Sequence, residues 1–245
     1  MKEFVVLDLE TTGLTPKTDR ILEIGAIKVV DGEIKERYAT FINPQRKIPE
    51  RITELTGITQ EMVADAPYRE EAVRNLVEFC KDLPLLGHNI RFDYSFVKHE
   101  AVNLGLQFEK EALDTLAVAR MALPELESRS LEFLCGYFGI RREHAHRAMD
   151  DAVETLELYR ILEQKFAKEH PEWFRTQRLI CKVKKEGPIT RAQIGFLKDL
   201  MEYHHLTPEV EITSLTKNEA SRMIDTILST YGRTERKRYV ERSKT

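Results

Sequence analysis

At 245 residues, 42% hydrophobic and 32% charged with a formal net charge of −3, the chain can fold as one large domain or as a medium domain with a small appendage. It shows no run near the ~18 apolar residues of a membrane span, and Met1-Lys2-Glu3 leads straight into a strand-like run rather than a signal peptide's apolar stretch and cleavage site. Cys80, Cys135 and Cys181 are odd in number and form no CxxC pair, so the expectation is a protein of a reducing cytoplasm with no disulfide framework, no cysteine zinc site and no membrane association.

Phe4-Val5-Val6-Leu7-Asp8-Leu9-Glu10 is β-branched and apolar and stops at Thr11-Thr12-Gly13, which predicts a strand entering a turn. Residues 21–30 form a second run, and Asp31-Gly32 is a hairpin signal into a third strand over about 33–42. A three-strand antiparallel meander therefore opens the chain. Ala72, Leu76 and Phe79 lie at helical spacing within 68–81, and Leu83-Pro84-Leu85-Leu86-Gly87 predicts a short buried strand that delivers His88 and Asn89 to its end. Helices are expected over 93–104, 115–122 and 131–138, and over 150–166, where Ala152, Leu156, Tyr159 and Leu162 make one stripe. Strands followed by helix–strand–helix units imply an α/β layer fold with a mixed sheet.

Composition shifts near His170-Pro171-Glu172-Trp173, and Gly187-Pro188 punctuates a polar stretch. The organisation expected is a first domain over 1–170, a linker over 171–188 and a small helical module with a basic tail over 189–245. Thr190 with Gln193 and Thr216 with Glu219 are capping-box signatures. The first leads a helix with Ile194, Leu197 and Met201 on one face; the second leads one with Ala220, Met223, Ile227 and Tyr231, closed by Gly232. Residues 175–245 carry 15 Lys+Arg against 9 Asp+Glu, whereas residues 1–174 carry 23 against 32. An acidic body with a basic tail suits a nucleic-acid enzyme when cations neutralise part of the body, and solubility alone explains the tail equally well.

Side chains alternate along a strand, so Asp8 and Glu10 share a face with Phe4 and Val6 and can share one cation. Asp93 follows a buried strand, where functional groups commonly sit, and it also fits an ordinary helix-capping Asp. His146 and Asp151 bracket a helix start, with His144 a competitor that spacing alone does not remove. Separated carboxylates that converge in a fold are suited to holding divalent cations against phosphate, and hard oxygen ligands favour magnesium over zinc.

Taken in order, Asp8-x-Glu10-x-Thr12-Gly13, Asn89-x-x-Phe92-Asp93 and His146-x-Ala148-x-x-Asp151-Ala152 resemble the three motifs of the DEDDh (DnaQ-like) family of 3′→5′ exonucleases, which includes proofreading subunits and domains of bacterial replicative polymerases. Ile48-Pro49-Glu50-Arg51-Ile52 through Leu55-Thr56-Gly57-Ile58-Thr59, and Asp114-Thr115-Leu116, resemble that proofreading branch, and the likeness spans about residues 3–168. It implies an RNase H-like α/β fold, a five-stranded mixed sheet flanked by helices. It also implies two Mg2+ or Mn2+ ions held by Asp8, Glu10, Asp93 and Asp151, with His146 rather than His144 as general base. By the same resemblance Thr11 and Leu14 flank the terminal nucleotide, Leu14 as an apolar wedge, and His88, Asn89 and Phe92 line the pocket; Asp114 lies near without being a ligand. The expected activity is metal-dependent 3′→5′ hydrolysis of DNA of proofreading or repair type, releasing nucleoside 5′-monophosphates. The expected partners are a nucleic acid with a free 3′ end, single-stranded DNA foremost, and a DNA polymerase subunit. An RNA-trimming or oligoribonucleotide exonuclease is the alternative, and a polymerase-associated interaction subunit a more distant one. The helical module resembles one found at the ends of various proteins, and with Arg233, Arg236, Lys237 and Arg238 it is expected to help hold nucleic acid or a partner.

Overall fold

Strands β1 (Glu3–Thr11), β2 (Ile21–Val30) and β3 (Glu33–Phe41) form the meander in a computed structural model that describes residues 1–142 and 146–233. Asp31 and Gly32 both take positive φ at its tight turn, the conformation that this dipeptide adopts with least strain. Parallel pairing continues the sheet on the other side of β1 through β4 (Leu85–Gly87) and β5 (Glu111–Asp114). The order is β3-β2-β1-β4-β5-β6. Where five strands were expected there is a sixth, β6 (Gln177–Arg178), two residues paired antiparallel to β5.

The two sheet faces carry different helices. Val5, Leu7 and Leu9 pack with residues of α3 (Arg69–Cys80) and α4 (Arg91–Asn103). Phe4 and Val6, on the face shared with Asp8, pack with α5 (Thr115–Ala122), α6 (Leu131–Phe138) and α7 (Ala148–Phe166). Leu156, Tyr159 and Leu162 of α7 are almost fully buried there, each contributing about 1.5–3 kcal/mol by removal from water. Two short helices, α1 (Glu50–Thr56) and α2 (Gln60–Ala64), enclose a separate cluster of Leu22, Ile48, Ile52, Ile58 and Val63.

The described residues divide into two compact units between Lys185 and Glu186. The first unit reaches past the expected boundary at residue 170. Residues 171–174 form a 3-10 turn, Phe174 packs into the α7 cluster, and buried Leu179 donates its N–H to Lys110 O at 2.9 Å. The stretch read as a linker thus supplies β6 and part of the core. In the second unit α8 (Arg191–Tyr203) and α9 (Lys217–Tyr231) both begin with complete capping boxes, at Thr190/Gln193 and Thr216/Glu219, and bury Leu197, Leu200, Ala220 and Ile227 together. Gly232 closes α9 with φ 89°. Of the basic tail only Arg233 lies within the described residues.

Candidate active site

β1, β4 and β5 run parallel, so their C-terminal ends emerge along one edge of the sheet, where ligands of α/β proteins bind. Asp8 and Glu10 stand at that end of β1. Beside them the register between β1 and β2 shifts at Glu10/Thr11, a bulge that re-aims side chains next to a site. Asp93 arrives from the opposite face: α4 begins at Arg91, so Asp93 sits inside its first turn and is not the cap. It is 4% exposed, and its carboxylate accepts the N–H of Leu9 at 3.0 Å, which fixes α4 to β1 between the two strand carboxylates.

Asp151 and His146 come from the start of α7, on the other layer. Ligand atoms of Glu10, His146 and Asp151 all lie within 4.8 Å of one another. His146 has φ 61°, a left-handed conformation that is costly for a residue with a Cβ and that concentrates at functional sites. The competing His144 lies outside the described residues.

What brings α7 so close is Gly25, which pairs with Asp8 across β1 and β2. A Cβ there would lie 2.2 Å from Ala148 O and 2.5 Å from Met149 N, so only glycine lets the helix start rest against the strand. Glu23, opposite Glu10 on β2, finishes the arrangement. It is 4% exposed, accepts the Ala148 N–H at 3.2 Å and an Arg147 Nη2–H at 3.0 Å, and so caps a helix whose own N-cap side chain makes no such bond. Sequence reasoning missed Glu23 and Gly25, although the one carboxylate inside the largely apolar Ile21–Val30 run was a usable signal.

The electrostatics are those of a crowded anion site. Burial, then the charges of Asp93, Asp151, Glu10 and Glu23, pushes the Asp8 carboxyl well above the usual carboxylate range. Glu10 is pushed up to about 8 by burial, Asp151 and Glu23, with Arg147 opposing. Burial raises Asp93 against the pull of its backbone hydrogen bonds, and raises Asp151 against Arg142. Arg142 Nη2 lies 3.0 Å from Asp151 Oδ1, and its Nε lies 2.8 Å from Glu154 Oε2. Carboxyls that resist ionising together make a cluster of oxygen donors that could hold divalent cations.

The expected nucleotide contacts are placed unevenly. Leu14 is 82% exposed at the tip of a loop pinned by Thr12 N to Arg20 O (2.8 Å), Arg20 N to Thr12 Oγ1 (2.9 Å) and Thr15 N to Asp19 Oδ2 (2.8 Å). A firm loop thus presents an apolar side chain to solvent. Thr11 is buried and donates its hydroxyl to Gly13 O. Asn89 is exposed in the left-handed region at φ 66°, its N–H given to Asp114 Oδ1 at 2.8 Å, and Phe92 is half-buried against Phe96. Both ring nitrogens of His88 have protein partners. Nδ1 lies 2.9 Å from Thr115 Oγ1 and Nε2 lies 2.8 Å from Arg129 O, so the ring serves packing and polar satisfaction.

Comparison with known proteins gives a consistent picture. The family model described as Exonuclease (RNase_T) matches residues 5–159. DNA polymerase III PolC-type of Caldanaerobacter subterraneus is 45% identical over 157 residues, covering 64% of this chain and 11% of that protein. The PolC-type protein of Thermotoga maritima is 37% identical over 217 residues, 88% of this chain and 14% of that protein. The chain therefore spans only a small part of these PolC-type relatives. DNA polymerase III subunit epsilon of Aquifex aeolicus is 37% identical over 163 residues, 66% of this chain and 81% of the relative. Among solved structures, an E. coli exonuclease I–single-stranded DNA complex aligns with TM-score 0.62 at 22% identity, covering 69% of this chain and 42% of that one. Exonuclease X with 5′-overhanging duplex DNA aligns with TM-score 0.53 at 24% identity, covering 67% and 93%. At those identities the structures establish the fold.

Proposed function

Because the chain belongs to the exonuclease family, we propose that it hydrolyses DNA one nucleotide at a time from a 3′ end, in a proofreading or repair role, releasing nucleoside 5′-monophosphates. The observation that carries the reading is the meeting of Glu10 on β1 with His146 and Asp151 at the start of α7. DNA is favoured over RNA, and a polymerase partner is included, because the PolC-type and epsilon relatives are named as DNA polymerase III components.

In this reading Asp8, Glu10, Asp93 and Asp151 would hold two Mg2+ or Mn2+ ions. Such a pair would supply charge neutralisation at the phosphate and a water of lowered pKa. His146 takes the proton from that water as general base, a role suited to imidazole near neutral pH. Glu23 and Arg142 keep the α7 ligands in place. Leu14 packs against the terminal base, with Thr11, Asn89 and Phe92 bounding the same nucleotide; His88 supports the wall from behind.

End-labelled single-stranded DNA, RNA and mismatched duplex, incubated with Mg2+ and resolved at single-nucleotide steps, test this directly. A ladder shortening from the 3′ end, abolished by chelator and reduced about 10²–10⁴-fold by His146→Ala, is the expected result. Internal cuts, or an undiminished rate in His146→Ala, would overturn it, and faster removal of ribonucleotides would transfer the activity to RNA.

A further inference from the structure

We propose that a cavity at the same sheet edge is a second nucleotide subsite, which receives the single strand upstream of its 3′-terminal residue. It rests on the exonuclease reading above. The cavity has a volume of about 290 Å³ and lies between the turn after β4, the end of β5, α5 and the 3-10 turn that leads to β6. Two strand spacings separate β5 from β1, which sets it about 10 Å along the edge from Asp8 and Glu10. A strand whose last nucleotide sits at the carboxylates has its next nucleotides within that reach.

The lining has the chemistry for such a guest. Arg91 and Arg175 are exposed at its rim, and among the described residues neither guanidinium has a hydrogen-bond or ion-pair partner. Two acids share the lining: Asp114 Oδ1 accepts the N–H groups of Asn89 and Leu116 at 2.8 and 3.0 Å, and Glu172 lies 3.4 Å from His170 Nδ1. Those contacts hold the carboxylates in place, whereas the two guanidinium groups are left to turn towards successive phosphates of a strand. Trp173 and Met121 supply the apolar surface for a base; Trp173 is held by stacking on His170 at 3.8 Å between ring centroids. Trp173 and Arg175 lie beyond residue 159, outside the span that the family model matches. This wall is built by the segment that forms β6.

Trp173 is the sole tryptophan, so its fluorescence reports the cavity. A full-length His146→Ala variant, used to prevent cutting, is titrated with (dT)8 and with dTMP in Mg2+ between about 50 and 200 mM NaCl. The triple variant His146→Ala/Arg91→Gln/Arg175→Gln is titrated alongside. The subsite predicts quenching by (dT)8 and not by dTMP, and a slope of log affinity against log salt shallower by about 1.4 in the triple variant, 0.7 for each lost phosphate contact. Equal slopes, or equal quenching by dTMP, would overturn it. If the unaltered chain still shortens (dT)8 from its 3′ end, equal slopes dismiss the subsite alone and the exonuclease reading stands. A chain that neither binds nor shortens (dT)8 dismisses both.

Discussion

Gly25→Ala adds one methyl group to the sheet and is expected to disable the site from behind. The new Cβ would sit 2.2 Å from Ala148 O, 2.3 Å from Ala148 C and 2.5 Å from Met149 N. These are backbone atoms in the first turn of α7 and cannot rotate aside. To restore ordinary contact the helix start must retreat by about 1 Å. Asp151 and His146 move with it, while Asp8, Glu10 and Asp93 stay on β1 and α4. A shift of that size in a catalytic constellation costs on the order of 10²-fold in rate, and overpacking lowers stability by about 1–3 kcal/mol. Exonuclease turnover on labelled single-stranded DNA, measured at a temperature where circular dichroism shows the variant folded, checks both numbers. Leu156→Ala is the control: it cuts a buried α7 side chain at about 2–5 kcal/mol and leaves the contact at Gly25 intact. If Gly25→Ala kept full activity, or if Leu156→Ala lost as much activity when folded, the idea that close helix approach sets the ligand geometry would be wrong.

Three further outcomes are expected. Arg142→Met removes the cation beside Asp151 and Glu154, so the metal-free protein should lose about 3–5 kcal/mol while Mg2+ raises its Tm by more than it raises that of the parent; a smaller Mg2+ effect on thermal melting would contradict this. Glu10 carries a folded-state pKa raised from 4.5 to about 8, so the folded chain keeps a proton that the unfolded chain releases. Stability from this group is full below 4.5 and declines as pH climbs towards 8. In chelator, Tm should fall between pH 5 and pH 8, less steeply for Glu10→Gln; parallel curves for the two proteins would refute it. Thr216→Ala breaks the 3.2 Å cap to Glu219 N and should cost the second unit about 1 kcal/mol in denaturant unfolding, with no measurable loss denying the cap a role.

The meander, the long amphipathic helices and both capping boxes were legible because each leaves a periodic or positional signature in adjacent residues. The elements that escaped are short. α1 and α2 have seven and five residues, short of the roughly 11–18 over which a helical period can be recognised, and β5 and β6 have four and two. Asp8 and Glu10 could be assigned to one face from alternation alone. The company they keep could not, since Glu23 and Gly25 matter through residues more than a hundred positions away. Nor could local spacing show that His88 is tied by both nitrogens, because Thr115 and Arg129 reach it only through tertiary packing.

Asp93 reaches β1 from one layer of the sandwich and Asp151 from the other, and the last of these elements to be synthesised, α7, closes the set. A partly made chain therefore has Asp8, Glu10 and Asp93 without Asp151, and the set is complete only once that final layer has docked. In the exonuclease reading the fold itself then acts as a safety catch.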